Sequence, residues 1–239
     1  MSRVAIVVAL EREVRALIKE WRACEKESGG RSFRFFEHKE FVLVCGGIGA
    51  EAARRAAEAV IAIYAPAVIY SAGFAGALVP EMKVGAIVQP RRVVNAGDGS
   101  RIDLSCGEGV LVSFGTVANP EQKARLRDSF GAVAVDMEAA AVARAAEARG
   151  VRFAVVKVIS DEFDFDLPST ERFVDGNGKF LEMRFAWFAA VRPWLWPRVA
   201  RLARNSNRAA RALCDWLRNM SGDSGVAAEA PSLQAADRP

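Results

Sequence analysis

Histidine is nearly missing from this chain: His38 is the single copy in 239 residues, and it sits in the charged stretch FEHKEF. With His38 in a charged stretch and no second imidazole to pair with, neither a histidine metal site nor a Ser/His triad is expected, so proton transfer is expected to fall to carboxylates. Cysteine is sparse as well. Cys24, Cys45, Cys106 and Cys214 lie far apart and form no CxxC pair, which argues against zinc or a disulfide framework and predicts buried free thiols. Neither sign of charge dominates. A formal charge of +4 is too small an excess to be the footprint of a nucleic-acid binder, so no nucleic-acid partner is expected. No GxGxxG or GxxxxGK[ST] motif is present. The first apolar run, residues 4–10, is only one strand long and is interrupted by Glu11, Arg12 and Glu13, so it does not read as a signal peptide and the expected location is cytoplasmic.

What is present is an ordinary globular composition, 51% apolar and 26% charged, long enough for one large α/β domain. Residues 4–10 read as strand and the pattern Leu10, Val14, Leu17, Ile18, Trp21 as helix, which puts Glu11 and Glu13 at a strand's carboxyl end. Acids in a first helical turn also complement the macrodipole without further function. Residues 32–36 and 41–44 read as a hairpin. CGGIG then leads into a small-residue helix over 50–65, an order that lets backbone amides meet an anion or a ribose, or simply makes a tight turn. The strand beginning at Ala67 runs into SAGFAGAL, glycine and alanine at its carboxyl end, as if something approached the backbone there. Residues 84–90 and 109–114 read as strands, 91–103 as a polar connection, and 120–130 as a helix with proline in its first turn.

The stretch that organises the rest is AVAVDMEAAAVARAAEARG followed by VRFAVVKVISD. Residues 133–149 lack glycine and proline and predict a helix opened by Asp136 and Glu138; Val155, Val156, Val158 and Ile159 predict a doubly buried strand ended by Asp161. Ligands in open parallel sheets sit beyond the strands' carboxyl ends, so Asp161 marks either a site or a turn. Past Asp161 the character changes. Residues 179–220 hold Trp187, Trp194, Trp196 and Trp216 with eight arginines, and Pro193 and Pro197 break the segment into at least two helices. Such helices either pack on the sheet edge or a subunit interface, or lie on a membrane surface. Residues 221–239 read as a disordered tail, leaving residues 1–220 as one domain with a core over 1–165.

With these pieces in order, AIVVALEREVRAL, GGIGAEAA, SAGFAGAL, AVDMEAAAVA and VVKVISD, the chain resembles the nucleoside phosphorylase and nucleosidase superfamily, most closely the methylthioadenosine/S-adenosylhomocysteine nucleosidases. The resemblance implies an α/β fold with a twisted, mostly parallel central sheet flanked by helices, to which the C-terminal helical segment is added. It implies cleavage of the N-glycosidic bond of a purine nucleoside with a modified 5′ position, by hydrolysis or phosphorolysis, adenine being released without a cofactor; inorganic phosphate is a possible co-substrate. Glu13 then matches the acid that activates water. Glu138 matches the acid on the ribose hydroxyls, with Met137 against the sugar. Asp161, helped by Ser160, matches the acid that protonates the purine, a role calling for an apolar setting. Gly47, Gly49, Gly73, Phe74, Ala75, Val117, Ala118 and Asp136 complete the expected substrate-binding set, and no metal ligand is expected. The family commonly has a small polar residue where Phe74 stands, and an aromatic in the region of GTVAN, residues 115–119. The tail is similar to that of hopanoid-associated nucleoside phosphorylases, which act on a lipid-tailed nucleoside. That likeness implies peripheral membrane contact through residues 179–220 and Arg12, Arg91 or Arg92 as phosphate ligands. A homo-oligomer is the family's habit. A binding scaffold that has lost its chemistry is the remaining alternative.

Overall fold

The computed structural model describes residues 2–165, 178, 194 and 196–222. Its frame is a run of short β-branched strands: β1 (Val4–Val8), β4 (Phe41–Cys45), β5 (Val68–Ala77) and β11 (Arg152–Asp161), paired in parallel in the order β4–β1–β5–β11. Parallel pairing also joins β7 (Arg92–Asn95), β9 (Val110–Ser113) and β10 (Ala134–Asp136). The sheet's outer parts are antiparallel. β2 (Arg22–Ser28), β3 (Arg31–His38) and β4 form a meander, β8 (Arg101–Asp103) pairs with β7, and the two-residue β6 (Ile87–Val88) pairs with β11. The last residues of β5 meet β10 antiparallel, Gly76 opposite Val135 and Ala77 opposite Ala134.

Alternation along the strands gives the sheet two apolar faces. Ala5 and Val7 of β1, with Phe153, Val155 and Ile159 of β11, pack against α2 (Ala50–Tyr64) and α4 (Ala139–Glu147). Val4, Ile6 and Val8, with Ala154, Val156 and Val158, face α1 (Glu11–Ile18) and α5 (Trp196–Gly222). Both helix pairs present buried stripes, Ala53, Ala56, Ala57 and Val60 on α2 and Ala209, Leu213, Leu217 and Met220 on α5. α3 (Pro120–Phe130) covers a smaller cluster with Leu126. Its start is well specified: Asn119 caps it, Gln122 returns the bond in a capping box, and Pro120 takes the first position.

Several expectations give way. Helix does not fill residues 133–149: Ala134–Asp136 is strand, and α4 begins at Ala139 with Glu138 as its cap. Buried strand neighbours on both sides, β9 and β5, outweigh the helical preference of alanine there. β5 does not end at Tyr70 but runs through SAGFAGA, because its partner β11 is equally long. The polar connection 91–103 contains β7 and β8. β2, made of RACEKES, was invisible to a search for apolar alternation because it is an outer strand with an exposed or half-buried pattern throughout. Of the cysteines only Cys214 is buried, and Cys106 is exposed. In the C-terminal segment α5 packs on α1 and β11, Pro197 being accommodated in its first turn. Trp216 is packed against Tyr70, with centroids 6.2 Å apart, while Trp194 and Trp196 are exposed. No helix among the described residues is long and apolar enough to cross a membrane. Trp187 and residues 223–239 of the expected tail 221–239 lie outside the described residues, while Ser221 and Gly222 belong to the end of α5.

Candidate active site

Three carboxylates that are far apart in sequence line one cavity of about 610 Å³ at the carboxyl ends of the parallel strands: Glu13, Glu138 and Asp161. Glu13 arrives on the first turn of α1, just beyond β1. Glu138 caps α4 just beyond β10, and Asp161 is the last residue of β11. Topology brings them together, since each element end opens toward the same space.

Glu13 is buried, and its Oε2 has no hydrogen-bond partner among the described residues. Burial, and then repulsion from Glu138, push its carboxyl up from the ordinary 4.5 to about 8, against the pull of Lys157 and Arg12. A base with that affinity for protons is poised near neutrality. Glu138 is held by the Gly49 amide, which donates to its Oε1 at 2.9 Å, and burial raises its pKa too, against the pull of Lys157. The Gly-rich turn thus does what its order in the sequence suggested, but its amide meets a protein carboxylate.

The glycines of β5 have a specific reason to be there. A Cβ on Gly73, where φ is +140°, would stand 2.8 Å from Glu13 Oε2; one on Gly76 would stand 2.9 Å from Asp161 Oδ2. What approaches the backbone at SAGFAG is therefore the acids themselves. Phe74 and Ala75 line the cavity beside them, as do Val117, Ala118, Met137 and Ser160. Gly49 is also in the wall. Gly47 is not; its amide is spent on the Ala9 carbonyl at 2.9 Å. Arg12 lines the cavity, whereas Arg91 and Arg92 do not, and Arg92 pairs with Asp103 on the exposed β7–β8 hairpin.

Asp136 reaches the cavity wall with both oxygens engaged. Oδ1 accepts from Ser113 Oγ at 2.6 Å; Oδ2 accepts from the Ala139 amide and from Lys157 Nζ, each at 2.8 Å. It is an anchor for the start of α4 and for a buried lysine. Lys157, on the α4 face of β11, lies 3.9 Å from Glu138 Oε2, and although burial opposes its charge, the neighbouring acids hold its pKa above the ordinary value. Asp161 does not have the apolar setting expected of it. Its Oδ2 is ion-paired with the buried Lys123 Nζ of α3, and its Oδ1 accepts from Ser160 Oγ at 2.9 Å.

Sequence reasoning missed Lys123, Lys157 and Ser113. Lys157 interrupts an otherwise apolar strand, VVKVI, and that interruption was the available signal. Lys123 gave none, since a lysine in PEQKARLRDSF looks like solvated surface. The inner wall also receives Val199, Leu202, Ala203, Ser206 and Asn207 from α5, so the helix is part of the cavity as well as of the packing.

A family model described as the phosphorylase superfamily matches residues 3–111 and 104–186. Among solved structures, the Helicobacter pylori 5′-methylthioadenosine/S-adenosylhomocysteine nucleosidase bound to a pyrrolidine inhibitor superposes with a TM-score of 0.69. It is 19% identical, over 92% of this chain and 98% of that one. Futalosine hydrolase of Helicobacter pylori gives 0.68 at 20% identity, over 92% and 97%. The Streptococcus pyogenes S-adenosylhomocysteine nucleosidase gives 0.63 at 19%, again over 92% and 97%. These structures share the fold, and the family match covers most of the chain: it belongs to the phosphorylase superfamily, and with it to the enzymes that act on nucleosides.

Proposed function

We propose that this enzyme hydrolyses the N-glycosidic bond of a purine nucleoside, releasing adenine from a sugar whose 5′ position carries an apolar group. The observation that carries the reading is the meeting of Glu13, Glu138 and Asp161 in one cavity. Breaking C1′–N9 leaves an oxocarbenium-like sugar and an electron-rich purine, so negative charge must face the ring while a proton reaches the base. Glu13 takes the proton of the attacking water. Glu138, fixed by the Gly49 amide, faces the ribose hydroxyls with Met137 beneath. Asp161 and Ser160 serve the base. Positioned proton transfer of this kind is worth roughly 10²–10⁴ in rate.

Water is favoured over phosphate by the state of the cations. Lys123 and Lys157 are already paired with Asp161 and Asp136, and Phe74 has no donor to offer an anion. The relatives whose structures hold methylthio- or butylthio-substituted adenosine analogues support an apolar 5′ group, as do Ile48, Phe74, Val199 and Leu202 in the wall. A second reading, phosphorolysis of a lipid-tailed nucleoside, draws on Arg12 beside Glu13 and on the apolar side chains of α5. One assay separates the two: adenine release from methylthioadenosine, S-adenosylhomocysteine and adenosine, with and without phosphate. Free sugar at a phosphate-independent rate is expected; a sugar 1-phosphate, or no adenine from any of them, overturns hydrolysis.

A further inference from the structure

Lys123 is the one buried cation of α3, and it borders two cavities. One is the large cavity with the three acids. The other, about 210 Å³, is walled by Leu78, Pro120, Ala124, Arg127, Phe163 and Asp164. Nζ spends one donor on Asp161 Oδ2 and a second on the Glu162 carbonyl at 2.7 Å. Asp161 is therefore held on both oxygens, Ser160 Oγ on one and the lysine on the other. An ammonium–carboxylate pair shares a proton that can be written on either group without changing the pair's net charge.

Resting on the nucleosidase reading above, we propose that the proton that leaves with the purine is supplied by Lys123 and passes through Asp161. As C1′–N9 breaks, the bonding electrons stay on the purine. An Nζ proton crosses to Asp161, and the carboxyl so formed gives a proton to the purine nitrogen. The pair is left as amine and carboxylate, one proton poorer, and the purine departs neutral. The proton that Glu13 took from the attacking water matches the one that Nζ gave up, and exchange with solvent returns both groups to their starting state. Lys123 acts through Asp161 and never touches substrate, so it is a positioning residue for the departing base.

The test uses the whole enzyme, an adenine nucleoside that it cleaves, and single-turnover rate constants, which do not depend on the fraction of molecules folded. Lys123→Arg keeps the cation and the pair but does not give up its proton at any working pH. Lys123→Gln keeps a donor without the charge. Both are expected to lower kcat by about 10²–10³-fold, with KM changed less than about threefold. Placed on top of Asp161→Asn, Lys123→Gln is expected to cost nothing more, because the two residues act as one unit. Parental kcat in Lys123→Arg would mean that the charge alone suffices and would overturn the proposal, as would a further loss in the double variant. An unaltered enzyme that cleaves no nucleoside brings down the nucleosidase reading as well; activity with indifferent Lys123 variants brings down only this one.

Discussion

Glu13→Gln should make the protein more stable and less active, and the gain in stability should depend on pH in a defined way. The side chain is buried with an unpartnered oxygen, and its pKa of about 8 lies above the ordinary 4.5 that it regains on unfolding. A carboxyl whose folded pKa is raised contributes its full stability below the unfolded value. It loses that contribution as pH climbs through the folded value, because only the unfolded chain ionises it freely. The gap between 4.5 and about 8, at about 1.36 kcal/mol for each pH unit, comes to about 5 kcal/mol above pH 8. Glutamine has the same shape and does not titrate, so the variant escapes that loss. For a chain of this size about 5 kcal/mol corresponds to a Tm difference of roughly 10–20 °C. Thermal melts followed by circular dichroism at pH 5, 7 and 9 read it directly: variant and parent close together at pH 5, the variant ahead at pH 7 and further ahead at pH 9. Equal separation at all three values would refute the idea that Glu13 is held protonated by its surroundings.

The same titration sets the rate. If Glu13 is the base, kcat/KM should rise about tenfold per pH unit below 8 and level off above it, as expected for a free-enzyme group that must lose a proton; a flat profile from pH 6 to 9 counts against it. Gly73→Ala places a methyl 2.8 Å from Glu13 Oε2 at a φ of +140°. It should cost about 1–3 kcal/mol of stability in strain and lower kcat by about 10²-fold through the displaced carboxylate, with denaturant melts and initial rates as the two readouts. Leu213→Ala, in the buried stripe of α5 against α1 and β11, should cost 2–5 kcal/mol by the cavity that it leaves. Because α5 also supplies Leu202 and Ala203 to the cavity wall, the KM for a nucleoside with an apolar 5′ group should rise in that variant; an unchanged KM would separate the helix from the substrate.

Much of this fold could be read from the chain because its central strands are continuous β-branched runs and its helices carry clean stripes. VAIVV, FVLVC and PEQKARLRDSF fall where pattern and capping put them. Reading failed where two rules competed. Alanine's helical preference hid Ala134–Asp136, which forms strand only because β5 and β9 stand on either side. Gly and Ala in SAGFAGA looked like the end of a strand, although they are its continuation under contact from two carboxylates. Glu13, Glu138 and Asp161 could be found because acids at strand ends and helix starts are locally conspicuous. Of the lysines beside them, Lys157 shows as a charge inside the apolar run VVKVI, whereas Lys123 is conspicuous only in three dimensions.

Those partners decide what each acid can do. Four acids line the cavity, Glu13, Asp136, Glu138 and Asp161, and two buried lysines stand among them. Each lysine is closest to an aspartate: Lys157 to Asp136, Lys123 to Asp161. Of the glutamates, Glu138 stands farther from its cation, 3.9 Å from Lys157 Nζ, and Glu13 Oε2 has no hydrogen-bond partner among the described residues; theirs are the carboxyls that burial drives upward. A short side chain fixed by a lysine keeps a constant place, and so suits anchoring a helix or serving the base. Glu13, whose pKa of about 8 lies near neutrality, can take up and release a proton in a reaction cycle. Exchanging the types tests this division: Asp136→Glu should disturb Lys157 and the start of α4 without creating a second base, because Ser113 Oγ and the Ala139 amide still demand an acceptor at that point.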